Sequence, residues 1–450
     1  MKIAWFTPLA LRSAIGDYSE VIATALASAD DVTLYYPDSP EHGPPRPAAI
    51  PCVPIPALPD DRFLASLSAH DIHVYNIGNF LDFHLPIYRT ALRKPGIVVL
   101  HDIVMRDFFS EYFARLRDGA GGYGQFLRKA HGADAERAAA EVHAGRAHET
   151  PDERLRHPLF RPTLTGALGA IVHSEYARQR VAAEVSVAVR TIDFPIFGPS
   201  RSYVDTDPVR TPCPHGKVRL LSFGMLNRNR LIPETIAAIA ESEYLRRHCT
   251  FDLIGQGPKN LEATLRTSIE RHGLGDTVRL HGWQPEEKLQ EALLASDVVI
   301  NLRNPHSGES SCVLSTSLLA GLPTMVWDHG FYAEFPDEVA VKLSSVAEIG
   351  PALERLVRDA ELRAAYGTSA RVHALERFST ERYCRSFREF AEEVLRQKPM
   401  LMLADRVTDI LQEMGPSHGH REFIGRIGVI IAGFASPPCS AGGQRPTAKV

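Results

Sequence analysis

Short runs of four to six apolar, largely β-branched residues recur along the chain, each followed by a turn and then by a longer stretch with helical spacing. A strand buried on both faces reads as one unbroken apolar run, and a parallel neighbour needs a helical crossover to reach it, so this rhythm specifies parallel α/β units. It occurs twice. The first series predicts strands over Ile3 to Phe6, Val32 to Tyr36, Ile72 to Ile77, Ile97 to Leu100 and Ala170 to His173. The second predicts them over Val218 to Phe223, Phe251 to Ile254, Val278 to Leu280, Val298 to Asn301 and Thr324 to Trp327.

A chain of 450 residues exceeds what one hydrophobic core usually serves, which agrees with two domains. The stretch 198–216 holds Pro199, Pro208, Pro212 and Pro214 and has no apolar period, so it reads as a linker between a domain over 1–197 and a domain over 217–379. Within the first domain, Pro37 to Pro59 reads as a surface loop. Residues from about 105 to 165 read as a charged, helix-prone insertion, either lining a binding cleft or forming a solvated excursion. Tyr383, Phe387, Phe390 and Val394 fall at helical spacing over 380–400, the place for a helix crossing back to the first domain. The segment 401–450 reads as a partly disordered tail.

Composition narrows the function. With 44% hydrophobic and 23% charged residues the chain is globular, and a formal net charge of -4 gives no global attraction for nucleic acid. Six widely spaced cysteines show no zinc or redox spacing, so reduced thiols and a cytoplasmic location are expected. The start of the chain runs directly into a strand, unlike a signal peptide. The apolar stretch Ile427 to Phe434 is far short of the ~20 residues that cross a bilayer. Peripheral contact with the inner face of a membrane stays open.

Candidate site residues cluster where strands end, the edge at which open α/β sheets bind ligands. Gly16 opens a helix after the first strand, a turn suited to an anion, or simply a tight turn. His101 and Asp102 follow Ile97 to Leu100 directly; the histidine is placed to bond a sugar hydroxyl and Asp102 to orient its ring. Asn79 ends a turn that approaches the same crevice. After Val218 to Phe223 come Arg228 and Arg230, whose permanent charge and forked donors suit a diphosphate. Gly257 lies in a loop near the expected nucleotide, and Trp283 offers a surface for a base. Glu309, Ser310 and Ser311 stand at the mouth of a helix that stops at Gly321 and Pro323; they offer a carboxylate for sugar hydroxyls and hydroxyls with free N–H groups for phosphate, or serve as an ordinary cap. The sole Asp-x-Asp, Asp205 to Asp207, lies in the proline-rich linker, and no metal site is expected.

Taken together these segments resemble the family-four-like GT-B glycosyltransferases over about residues 1 to 395. Gly224 to Arg230 is similar to that family's diphosphate loop, with Arg230 six positions after the glycine where a lysine is usual. Asp297-Val298-Val299, Ala320 to Pro323, Asp328, Gly330 and Glu334 match further landmarks, as do Tyr75 to Asn79, Gly96 to Asp102 and Ile171 to Tyr176. The variant at 308–311 resembles a subgroup with Gly-Glu-Ser/Thr-Ser, and Thr316 stands where many members carry a second glutamate.

The resemblance implies two Rossmann-like, doubly wound parallel-sheet domains facing a cleft, with a crossover helix. It also implies retaining, metal-independent transfer of a hexose-type sugar from a nucleotide diphosphate donor, with no bound cofactor. Arg230, Glu309 and His101 would be its catalytic residues. The acceptor, whether saccharide, lipid-linked or small molecule, is left open. A sugar-nucleotide epimerase of the same fold and a non-catalytic nucleotide-sugar-binding protein are the alternatives.

Overall fold

The structure, a computed structural model, describes residues 1–413 apart from 11–12, 39–44, 46–47, 117–118, 147–148, 198–202, 205–207, 209–215, 307 and 309, and apart from the side chains of 120, 151 and 404–413. Glu309, Ser307, Asp205, Asp207, most of the expected linker and the tail beyond 413 lie outside the described residues. Internal contacts divide the chain into a unit Met1–Arg388, which carries both sheets, and a unit Glu389–Val450, whose described part continues the helix Thr380–Glu413.

Two parallel sheets form. The first contains β1 (Lys2–Phe6), β2 (Asp31–Pro37), β3 (Cys52–Ile55), β4 (Ile72–Ile77), β5 (Ile97–Leu100), β6 (Gly169–Val172) and β7 (Val189–Thr191), in the order β3-β2-β1-β4-β5-β6-β7. The second contains β8 (Val218–Phe223), β9 (Cys249–Ile254), β10 (Val278–Gly282), β11 (Val298–Ile300), β12 (Thr324–Trp327) and β13 (Val341–Leu343), in the order β10-β9-β8-β11-β12-β13. All the pairings are parallel, with Trp5 opposite Val74 in the first sheet and Leu220 opposite Val298 in the second. Both sheets reverse their winding beside their first strand, between β1 and β4 and between β8 and β11. The carboxyl ends of strands beside such a reversal are the usual place for a ligand in open parallel sheets.

Burial on two faces explains the unbroken apolar runs. On β8, Val218 and Leu220 belong to one core and Leu221 and Phe223 to another. The predicted central strands are all present. Three strands were not foreseen, β3, β7 and β13, and each is a sheet edge. β3 corrects the expected Pro37 to Pro59 loop: Pro54 pairs with Tyr36, and proline is tolerated there because an edge has one side with no ladder to serve.

The insertion is helical, with helices Arg106–Ala114, Gly119–His131, Ala133–His143 and Pro151–Arg156. The last starts with a capping box in which Thr150 and Glu153 bond each other's backbone. It is no solvated excursion, since Phe108, Leu127, Leu159 and Phe160 are fully buried in the core of the first sheet.

The helix Thr380–Glu413 begins where a crossover helix was expected and runs past 401 into the segment read as tail. Its first turns join the first sheet's surroundings: the hydroxyls of Tyr383 and Tyr18 hydrogen-bond, Phe387 meets Trp5 edge-on at 5.5 Å, and Arg388 Nε bonds Asp30 at 2.8 Å.

Candidate active site

Gly16 lies in the first turn of the helix Ala14–Leu26, whose cap is Ser13, with Ser13 Oγ accepting from the Gly16 N–H at 3.2 Å. A Cβ on Gly16 would stand 2.6 Å from the Pro8 carbonyl oxygen, so the residue must be glycine for the helix start to press on the end of β1.

Asn79 follows β4 and is spent on local structure. Its backbone N–H donates to Asp102 Oδ2 at 2.9 Å, its Nδ2 to Asp107 Oδ2 at 2.7 Å, and its Oδ1 accepts from the Phe108 N–H at 3.0 Å. Asn79 thus caps the first insertion helix, and Asp102 holds the turn after β4. The ring of His101 is held by other residues than the expected Asp102. Its Nε2 lies 3.0 Å from Asn76 Oδ1 and its Nδ1 3.2 Å from His173 Nε2.

These contacts form a line from the Phe6 carbonyl through Asn76, His101 and His173 to the Ile192 carbonyl, with the outer distances 2.9 and 2.8 Å. Four contacts need four N–H groups, whereas an amide and two neutral imidazoles supply one each along the line. Burial drives both rings toward the neutral form. It lowers His173 to about 4, against the opposing bond to Ile192, and holds His101 well below the usual histidine range, with repulsion from His173 and His84 adding to the effect. With both rings neutral, one contact in the line lacks a proton. Tyr18 meets His101 edge-on at 5.1 Å and Phe194 stacks on His173 at 3.9 Å, closing the pair in.

In the second domain the loop after β8 turns at Gly224, whose φ is +98°, and ends in a short 3-10 turn over Arg228–Arg230. Arg230 is 2% exposed, and a Cβ on Gly224 would stand 2.8 Å from its Nη2. The guanidinium therefore fills the space that glycine leaves, with Nη1 3.5 Å from Ser222 Oγ. Arg228 is exposed. The neighbouring loop is fitted equally closely: a Cβ on Gly255 would stand 1.8 Å from the Gly224 carbonyl oxygen, and one on Gly257 2.6 Å from that of Leu226. Trp283 follows Gly282, whose carbonyl accepts from the Gly255 N–H at 2.8 Å, and its indole is 70% exposed.

The loop after β11 meets the loop after β8 at the winding reversal. Asn304 N–H donates to the Asn229 carbonyl at 2.7 Å, and Asn229 Nδ2 to the Pro305 carbonyl at 3.2 Å. Ser311 caps the helix Cys312–Leu319: its Oγ accepts from the Leu314 N–H and from Asn301 Nδ2, each at 3.2 Å. Thr316 is buried within that helix.

The same loop reaches the first domain. Ser310 Oγ donates to the His173 carbonyl at 3.0 Å, and Tyr176 packs edge-on to His306 at 4.9 Å. A Cβ on Gly308 would stand 2.3 Å from Ile103, just past His101. Glu334 Oε1 accepts from the Tyr176 N–H at 2.9 Å, while Arg377 bonds Glu334 at 3.0 Å and Asp193 at 2.7 Å.

The structure therefore brings His101, Ser310 and Ser311 together through His173, and it ties the Arg230 loop to the same segment through Asn304 and Pro305. Gly257 and Trp283 stand beside that loop, at the ends of β9 and β10. The supporting parts of Asn76, His173 and Arg377 were not foreseen, because each acts on a residue distant in sequence. Among the described residues no group of three His, Cys, Asp or Glu side chains is placed to hold a metal ion, and no helix is long and apolar enough to cross a membrane.

Residues 204–373 match the family Glycosyl transferases group 1. No curated protein matches the chain. Solved structures with the same fold include Anabaena HepE in complex with UDP, at 15% identity and a TM-score of 0.59, covering 87% of this chain and all of that one. A glycosyltransferase from Rickettsia africae is 9% identical with a TM-score of 0.58, covering 88% of this chain and 98% of the other. Sucrose-phosphate synthase from Thermosynechococcus elongatus is 13% identical with a TM-score of 0.57, covering 88% and 99%. The segment 204–373 is thus similar to the group 1 glycosyl transferases, and the chain has the GT-B fold.

Proposed function

We propose that this enzyme transfers a hexose-type sugar from a nucleotide diphosphate donor to an acceptor hydroxyl, with retention of the anomeric configuration and without a metal ion. The donor is held by residues 217–379 and the acceptor by residues 1–197, joined through 198–216. The observation that carries this reading is the meeting of the Arg230 loop and the 304–311 loop at the winding reversal of the second sheet, with the start of the helix Cys312–Leu319 beside them.

In this reading Arg230, with Arg228 and the free N–H groups at the helix start, neutralises the charge that grows on the leaving diphosphate. Cationic side chains and a helix N-terminus do here what a divalent ion does elsewhere. Glu309 holds the hydroxyls of the transferred sugar, Ser310 and Ser311 shape the phosphate site, Thr316 backs it, and Gly257 and Trp283 border the nucleotide. Gly16 lets the first domain approach the sugar closely. His101 shapes the wall opposite, its ring fixed by Asn76 and His173. Contact between the domains excludes water and so limits donor hydrolysis. The reaction takes place in the cytoplasm, where nucleotide sugars are made.

HepE is also solved with UDP-glucose, which makes UDP-glucose the first donor to try. The test is a thermal-shift screen with UDP, GDP, dTDP, ADP and their hexose conjugates, since a ligand that binds only the folded state raises its melting temperature. One nucleotide series should stabilise the wild type and not Arg230→Ala. Absence of any response would sink the reading, and conversion of a donor without acceptor would identify an epimerase instead.

A further inference from the structure

The helical insertion forms a half-open cavity of about 550 Å³, walled by the helices Arg106–Ala114, Gly119–His131 and Ala133–His143. Its lining is mostly carbon, from Ala114, Ala139, Val142 and the Tyr123 ring. Glycine keeps the space open. The helix Gly119–His131 carries four glycines, at 119, 121, 122 and 124, and three of them line the cavity. Glycine is the weakest helix former after proline, so nothing in the helix itself calls for it there. A Cβ at Gly121 would meet nothing within 4 Å, and one at Gly124 would first meet Glu136 Cγ at 3.7 Å.

One end is polar. Arg106 is 4% exposed; its guanidinium pairs with Glu149 and reaches the His157 carbonyl at 3.5 Å, while its Nε–H has no hydrogen-bond partner. The carboxylates around the cavity are already matched by cations: Asp107 with Arg154 at 2.5 Å, Glu149 with Arg154 at 2.7 Å and Glu136 with Arg128 at 3.3 Å. A neutral ligand therefore fits better than a charged one. Asp107 also accepts from Asn79, whose N–H bonds Asp102 next to His101, so the polar end adjoins the carboxyl edge of β4 and β5.

We propose that this cavity is the acceptor pocket and that the acceptor is a compact, neutral, largely apolar alcohol, such as a phenol or an alicyclic alcohol, and not a saccharide chain. The assignment rests on the transfer reading above. A volume between about 300 and 1,000 Å³ encloses most of a drug-sized molecule. A saccharide polymer instead needs an open groove with polar walls. In the reaction the acceptor oxygen bonds to the anomeric carbon as the bond from that carbon to the diphosphate oxygen breaks. The electron pair leaves with the nucleoside diphosphate, which also takes the hydroxyl proton.

The test uses the full chain with 2-naphthol, followed by its fluorescence, and maltotriose as the saccharide comparison. Two variants fill the cavity: Ala139→Phe, and Gly124→Leu, which also favours the helix and so guards against loss of folding. Saturable naphthol binding should weaken at least tenfold in both, with an unchanged thermal response to the stabilising nucleotide. With UDP-glucose, or the donor found by the screen, naphthyl glycoside should form in the wild type and fall at least tenfold in the variants. Naphthol binding that is absent or insensitive to both variants, or faster transfer to maltotriose, overturns the assignment while the nucleotide response still stands. Loss of the nucleotide response in the wild type removes the transfer reading itself.

Discussion

Ser310 Oγ donates to the His173 carbonyl at 3.0 Å, fastening the mouth of a helix in the second domain to the histidine that holds His101 in the first. Ser310→Ala removes one hydrogen bond, worth about 1 kcal/mol in stability. The expected result is a melting temperature within a few degrees of wild type and a several-fold rise in donor KM, read by steady-state kinetics. An unchanged KM would show that this tie does not hold the donor loop.

Arg230 fills the space left by Gly224. Arg230→Ala should lower kcat by about 10²–10³-fold, the usual cost of losing one preorganised group at a developing anion. Arg230→Lys restores the charge without the fork and should recover part of the rate. Single-turnover transfer separates this effect from product release.

Gly255 has φ +147° and no room for a side chain beside the Gly224 carbonyl. Gly255→Ala forces both loops apart and should cost at least about 1–3 kcal/mol, measured by urea unfolding. A variant as stable as wild type would mean the loops are less closely fitted than described.

Acid should destabilise the fold. His84 and His173 are each lowered to about 4 by burial, and burial also holds His101 well below the usual histidine range. Between pH 6.5 and 4 the unfolded imidazoles take protons that the folded ones refuse. Stability is therefore complete above pH 6.5 and falls as the pH drops, by up to about 1.4 kcal/mol per pH unit for each such group. Melting temperatures from pH 7.5 to 4.5 check the sign, and His84→Gln should flatten the slope.

The central strands were legible because burial on both faces leaves only apolar residues, as in Ile97 to Leu100. Three of the four edges were not, because Pro54, Arg190 and Lys342 interrupt β3, β7 and β13 where one side has no strand to pair with; the fourth, β10, was read from Val278 to Leu280. Arg230 and Ser311 were legible from local order, an arginine after a glycine turn and a serine before a helix. The line from Asn76 to His173 was not, since partners 25 and 72 residues apart are chosen by strand order and not by neighbouring residues. Asp102 was assigned to the ring of His101 on adjacency alone, and the sheet instead brings Asn76 from the next strand.

Arg377 serves Asp193 and Glu334 at once, and Glu334 in turn holds the backbone of Tyr176. One cation thus governs both how firmly the halves are joined and how easily they part. Substitutions here that speed turnover by easing separation will leave two largely shielded carboxylates without their counter-charge and lower heat resistance. Selection for rate and selection for durability act on the same side chain, in opposite directions.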